Sequence, residues 1–317
     1  MKIVVLDGVT LNPGDLSWAG FEALGALTVY DRSAPDELVP RAAGAEILLT
    51  NKTPIDAAAF DHLPDLRYVG VLATGYNIVD VVAAAAHAVV VTNVPTYGTQ
   101  SVAEHTIAHM FNLGRRVEHH AQTVVDGRWS RSPDFCYWDV PQVEFHDRVF
   151  GIVGLGRIGR ATARAALGLG MRVVADARGG APDPVQGIER LDLDDVFRQA
   201  DVLSLHCPLT PETENLVNAR SLALMKPGAF LINTSRGGLV DEVALAEALN
   251  AERLAGAGLD VVCKEPPSSG SPLFGAKNCF VTPHVAWSTL AARERLLSVA
   301  IKNLERFLAG SAANVVG

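Results

Sequence analysis

Short apolar runs alternate with longer segments whose apolar residues recur at helical spacing, and the rhythm persists along most of the 317 residues. In the first third, runs at 2–6, 27–30, 46–50, 67–72 and 88–93 predict five strands, with Ala-rich helical stretches such as 79–86 between them. An apolar stripe through Val102, Ile107, Met110, Phe111, Leu113 and Val117 predicts one long helix over 101–125. Residues 128–138 break the rhythm. They are aromatic, carry Pro133 and lack a period, and so read as a structured loop. The alternation resumes at 148, with strands predicted at 149–153, 171–175, 202–206, 229–233, 256–261 and 279–282. Residues 179–184 read as a surface connection, and no internal repeat is present.

Such alternation is the mark of parallel α/β architecture. The first five strands suit a small doubly wound sheet, and the later ones form a second α/β unit. A last helix, 289–308, has no strand after it, so it is expected to pack back on the first domain and make that domain discontinuous.

The strand at 149–153 runs straight into Gly154-x-Gly156-x-x-Gly159, with a helical segment at 160–169 and the strand at 171–175 behind it. In that context Gly154 permits a tight turn, Gly156 lets a pyrophosphate approach the backbone, and Gly159 lets helix and strand pack closely. The helix N-terminus supplies free N–H groups and a positive dipole end for the phosphates. Asp176 stands 22 residues after Gly154, where an acid commonly bonds the ribose hydroxyls of NAD. Arg178, two residues on, can instead pair with the 2′-phosphate of NADP, and both cofactors stay open.

Composition narrows the partners. Apolar residues are 49% of the chain, enough for a substantial core. A net charge of −8 without a Lys/Arg-rich run argues against nucleic acid. No apolar run reaches the ~18 residues a membrane span needs, and the N-terminus reads as a strand ending in Asp7 rather than a secretory signal. Cys136, Cys207, Cys263 and Cys279 lack metal or redox spacing and are expected to be reduced thiols of a cytoplasmic protein. No metal is expected. His105 and His109 lie four apart on one helix face, but no third ligand stands near, so packing or capping is the better reading. His119 and His120 are expected at the surface, and the 129–138 aromatics at a subunit contact.

Three polar segments each follow a predicted strand: one with Thr234, Ser235 and Arg236, one with Asp260 and Glu265, and one with Thr282 and His284. In an open parallel sheet, ligands bind beyond the carboxyl ends of strands, so the three can converge. Arg236 can clamp a carboxylate, His284 can donate a proton at neutral pH, and Glu265 can orient that ring.

These features resemble those of the D-isomer-specific 2-hydroxyacid dehydrogenase family over nearly the whole length. The likeness rests on 154–159 with Gly170 and Met171, on 206–210, 224–229 and 233–241, and on Thr282-Pro283-His284. It implies a Rossmann NAD(P)-binding domain at 99–285. It also implies a smaller flavodoxin-like substrate domain made of 1–98 and 286–317, with the cleft between them. It makes Arg236 the substrate-binding Arg, His284 the acid/base, Glu265 its partner and Asp260 the holder of the nicotinamide amide. Cofactor contacts are further implied for Val102, Thr106, Arg157, Ile158, His206, Cys207, Pro208, Thr213, Thr234, Ser235 and Ala286. Substrate contacts are implied for Lys52, Thr74 and Gly75, besides Arg236 and His284. In the family's NAD users the ribose-binding acid falls at the position of Ala177, and Ala177-Arg178 is similar to the pattern of NADP users.

The segments 135–138 and 284–287 are most similar to the glycerate dehydrogenase, or hydroxypyruvate reductase, branch. The implied activity is reduction of a small 2-keto acid, hydroxypyruvate or glyoxylate, to the D-2-hydroxy acid by a homodimer with its interface in 101–145. Two alternatives are an NAD(H)-sensing corepressor-like protein and a phosphoglycerate dehydrogenase without its regulatory domain.

Overall fold

A computed structural model describes residues 1–176, 185–267 and 270–317. The chain divides into two compact units, Met1–Gly98 with Ser288–Gly317, and Thr99–Trp287.

The first unit is built on a five-stranded, wholly parallel sheet. Its strands are β1 (Lys2–Val5), β2 (Ala26–Val29), β3 (Ile47–Thr50), β4 (Tyr68–Val71) and β5 (Val90–Thr92), in the order β2-β1-β3-β4-β5. Both β3 and β4 are buried along their whole length, which explains why they read as unbroken apolar runs. Asp56 and Asp80 cap the Ala57–Asp61 and Val81–Ala86 helices by accepting the first-turn amides of Ala59 and Ala83. The Leu290–Leu308 helix, capped by Thr289, belongs to this unit. It buries Ala292, Leu296, Leu297, Ala300 and Leu304 at helical spacing, and its Phe307 ring lies 4.9 Å from that of Tyr68. The chain then returns to the sheet edge, where Val315 bridges Thr92 and the Val316 amide donates to Val91.

The second unit carries a seven-stranded parallel sheet: β6 (Val149–Val153), β7 (Arg172–Asp176), β8 (Ile188–Leu191), β9 (Val202–Leu205), β10 (Phe230–Asn233), β11 (Gly256–Leu259) and β12 (Cys279–Val281). The order is β12-β11-β10-β9-β6-β7-β8, so the winding reverses between β6 and β9. Separate apolar clusters cover its two faces, one around Leu203, Leu231 and Leu245, the other around Phe150, Ile152 and Met110. This is the doubly wound α/β architecture expected from the sequence.

Two elements depart from expectation. The helix expected over 101–125 is two helices, Thr99–Arg115 and Val117–Val125, because Arg116 adopts a left-handed backbone with φ +49°. Its guanidinium sits 4.3 Å above the Phe280 ring and bonds Asn278 Oδ1, tertiary contacts that outweigh local helix preference. Strand β8 was not anticipated. It is a short edge strand with Glu189 and Arg190 in its middle, a composition that gives no buried run. Residues 177–184, which hold Ala177, Arg178 and the expected surface connection, lie outside the described residues.

Candidate active site

The glycine turn lies at the switch point of the seven-stranded sheet, where ligands of such sheets bind. Gly154 has φ +96°, and a Cβ there would fall 2.5 Å from the Cys207 nitrogen, so the turn lies flat against the segment leaving β9. At Gly156 a Cβ would meet nothing, and this residue begins the 12-residue Arg157–Gly168 helix. An open glycine before a helix N-terminus fits a dinucleotide pyrophosphate. Arg157 is exposed beside it, and Ile158 is half-buried. Asp176 is only 2% exposed, and its Oδ1 accepts the Gly154 amide at 3.1 Å, so this carboxylate braces the turn from beneath.

The neighbouring loops interlock. Ser235 Oγ donates to the Cys207 carbonyl (2.8 Å), Thr213 Oγ1 to that of Pro208 (2.7 Å), and the Thr106 and Thr234 hydroxyls meet at 3.0 Å. Val102 is buried one turn before Thr106, whose hydroxyl donates to the Val102 carbonyl. His206 contacts Ser204 Oγ at 3.0 Å, and burial pushes its pKa down to about 4, so it stays neutral at physiological pH.

Beyond β10, β11 and β12 stand Arg236, Glu265 and His284. Arg236 is exposed, with its Nη1 on the Ser235 carbonyl and no ion-pair partner among the described residues. Its loop lies against the one after β11 because Gly237 has no side chain. A Cβ there would sit 2.0 Å from the Val262 carbonyl carbon. In that second loop Glu265 Oε1 accepts the Val262 amide at 3.1 Å, while Oε2 lies 2.5 Å from His284 Nδ1. A carboxylate only accepts, so Nδ1 carries hydrogen and Nε2 is left for chemistry. Both side chains are one-third exposed, so a ligand can reach the ring.

Asp260, 1% exposed, holds the His284 turn in place. Its Oδ1 accepts the Val285 amide (2.9 Å) and the Thr282 hydroxyl (2.6 Å), its Oδ2 the Ala286 amide (2.8 Å), and its carbonyl the His284 amide (2.8 Å). These bonds offset the left-handed backbone of His284, φ +54°, which costs a non-glycine residue on the order of 1–2 kcal/mol. Behind Asp260, His105 and His109 both point Nε2 at Thr282 Oγ1, at 3.1 and 3.2 Å. Thr282 gives its hydrogen to Asp260 and accepts from both rings, so the pair serves as packing behind the turn. Burial first, then His105, lowers the His109 pKa to about 4, with Asp260 opposing. The sequence marked Thr282 as part of Thr282-Pro283-His284, but not its contacts with His105, His109 and Asp260.

In the other unit, the Thr74 hydroxyl donates to the Val94 carbonyl (2.9 Å), and the Thr74 carbonyl accepts from Asn93 Nδ2 (2.7 Å), which steadies the Thr74-Gly75 turn. Lys52 is exposed after β3, with no ion-pair partner among the described residues.

A dinucleotide cradle at the switch point, with an Arg and a Glu–His pair beyond neighbouring strands, defines an NAD(P)-dependent oxidoreductase of small acids. The chain belongs to the D-isomer-specific 2-hydroxyacid dehydrogenase family. The family model described as "D-isomer specific 2-hydroxyacid dehydrogenase, NAD binding domain" matches residues 107–286, all within the second unit. The chain is 48% identical to a hydroxypyruvate reductase of Blautia hydrogenotrophica, across all of this chain and 99% of the relative. It is 43% identical to a glycerate dehydrogenase of Methylorubrum extorquens, across 99% and 98%. Among solved structures, the D-lactate dehydrogenase of Lactobacillus jensenii with NAD+ aligns at a TM-score of 0.83 and 28% identity, covering 100% of this chain and 99% of that one. No described helix is long and apolar enough to cross a membrane.

Proposed function

We propose that this protein reduces hydroxypyruvate or glyoxylate, to D-glycerate or glycolate, with NADH or NADPH. The observation that carries the mechanism is the 2.5 Å contact between His284 Nδ1 and Glu265 Oε2. Nicotinamide, when bound, supplies the hydride. His284 gives the Nε2 proton to the carbonyl oxygen as negative charge grows there, and Glu265 stabilises the imidazolium before transfer. Arg236, whose Nη1 bonds the Ser235 carbonyl and which has no ion-pair partner among the described residues, clamps the substrate acid and adds positive charge beside the reacting oxygen. Lys52, Thr74 and Gly75 take the substrate carboxylate, and Asp260 holds the nicotinamide amide. In the oxidative direction, neutral His284 accepts the proton.

The burial of Asp176 beneath Gly154 supports leaving ribose selection to its neighbours. Phe135, Trp138 and Val125 are 87%, 66% and 79% exposed, which supports a homodimer joined through this region. Cys136, Cys207, Cys263 and Cys279 form no disulfide among the described residues, which fits a reducing cytoplasm.

The test is initial rates with hydroxypyruvate and glyoxylate, each with NADH and NADPH, beside light scattering for mass. Fast hydroxypyruvate turnover by a two-chain particle supports the reading. Dinucleotide binding without turnover of either acid refutes it.

A further inference from the structure

Asp7 lies two residues past the end of β1, the strand between β2 and β3, and is 8% exposed. Its carboxylate bonds nothing nearby in sequence. Oδ1 accepts the Asn51 amide at 2.7 Å, and Oδ2 accepts those of Lys52 at 2.5 Å and Thr53 at 2.9 Å. Three successive amides thus converge on one buried carboxylate, an arrangement that fixes both the path and the direction of the turn. Other bonds tighten it. Thr50 Oγ1 donates to the Thr53 carbonyl (2.8 Å), and Asn51 Nδ2 donates to Thr10 Oγ1 (2.9 Å). Thr50, Asn51 and Thr53 are buried, so within the 50–53 turn Lys52 is the exposed residue. The turn is also tied to the segment after Gly75, through the Ile55 amide on the Ile78 carbonyl and the Asp80 amide on that of Ile55.

We propose that Asp7 is a positioning residue for the reaction: by taking the amides of Asn51, Lys52 and Thr53, it aims the Lys52 ammonium at the substrate carboxylate. The inference rests on the reading of Lys52 given above and deepens it. Lysine is a flexible point charge, so its value in recognition depends on how firmly its backbone is held. An asparagine in place of Asp7 offers one oxygen and one NH2 group. The NH2 group faces an amide donor, so at least one of the three bonds is lost.

The experiment compares wild type, Asp7→Asn, Lys52→Met and the double variant by steady-state hydroxypyruvate reduction, with NADH affinity measured separately by fluorescence. Asp7→Asn and Lys52→Met should each raise KM for hydroxypyruvate about tenfold, with kcat and NADH affinity within about twofold of wild type. The double variant should be no worse in KM than Lys52→Met, because the brace has nothing left to aim. Multiplying effects in the double variant, or an unchanged KM in Lys52→Met, would overturn the proposal. Should Asp7→Asn fail to fold, Thr10→Val loosens the same turn without touching the buried charge. It should raise KM in the same direction in the Lys52 background only. Absent turnover in the wild type would defeat the functional reading and this one together, whereas additive variants of an active enzyme defeat this one alone.

Discussion

Asp7 and Asp260 occupy equivalent places in two different sheets, and they leave their turns in different states. Each follows a parallel strand, each is buried, and each spends its oxygens on a turn beyond a neighbouring strand. The turn tied by Asp260 presents a ring fixed twice, through its strained backbone and through Glu265 on Nδ1. The turn tied by Asp7 presents Lys52, whose backbone is fixed and whose amine has no ion-pair partner among the described residues. A proton donor needs a defined nitrogen aimed at one atom. A carboxylate anchor needs only a charge in the right region. The number of constraints on each side chain suits the roles proposed for His284 and Lys52.

The comparison breaks most visibly at the ring. His284→Ala should lower kcat by about 10²–10⁴-fold while dinucleotide affinity stays near wild type, read by steady-state rates and fluorescence titration. Turnover within tenfold of wild type would remove His284 as the proton donor.

Breaking the brace rather than the ring should cost less activity and more stability. Asp260→Asn turns an NH2 group toward one of the Val285, Ala286 and Thr282 donors, so about 2 kcal/mol of unfolding free energy should be lost. Chemical denaturation measures this. A midpoint equal to wild type would show that the turn holds without its carboxylate.

The smallest effect sharpens the view behind the brace. His109 is kept neutral when folded, with its pKa near 4, against 6.5 for an ordinary histidine. Between those values the unfolded chain binds the extra proton, so stability rises with pH through that window. The contribution is complete above pH 6.5 and is lost as pH falls toward 4, at most about 3 kcal/mol. Urea midpoints at pH 7.5 and 5 should differ accordingly, and His109→Gln should narrow the gap. An equal gap in that variant would place the pH dependence elsewhere.

How much was legible varies with the reach of the contacts involved. Buried strands such as Val149–Val153 announce themselves as apolar runs, and the glycine turn is readable because its three positions act locally. Arg236, Glu265 and His284 could be picked out because each follows a strand, a placement that sequence patterning reveals. The break at Arg116 could not, since it depends on Phe280 and Asn278, far along the chain. Asp7 was visible only as a strand-ending acid. Its partners lie 44 to 46 residues on, and nothing near them advertises an acceptor. The same distance problem hid the partners of Thr282, namely the two histidines and Asp260.

The split first unit imposes an order on biosynthesis. Thr99–Trp287 is contiguous and can complete its sheet as it leaves the ribosome. The five-stranded sheet cannot, because the helix carrying Leu296, Leu297 and Leu304, and the bridge from Val315 to Thr92, come only after Trp287. Until then the nascent N-terminal segment keeps an apolar face open to solvent, a substrate for chaperones at the stage when the cell is most exposed to its aggregation.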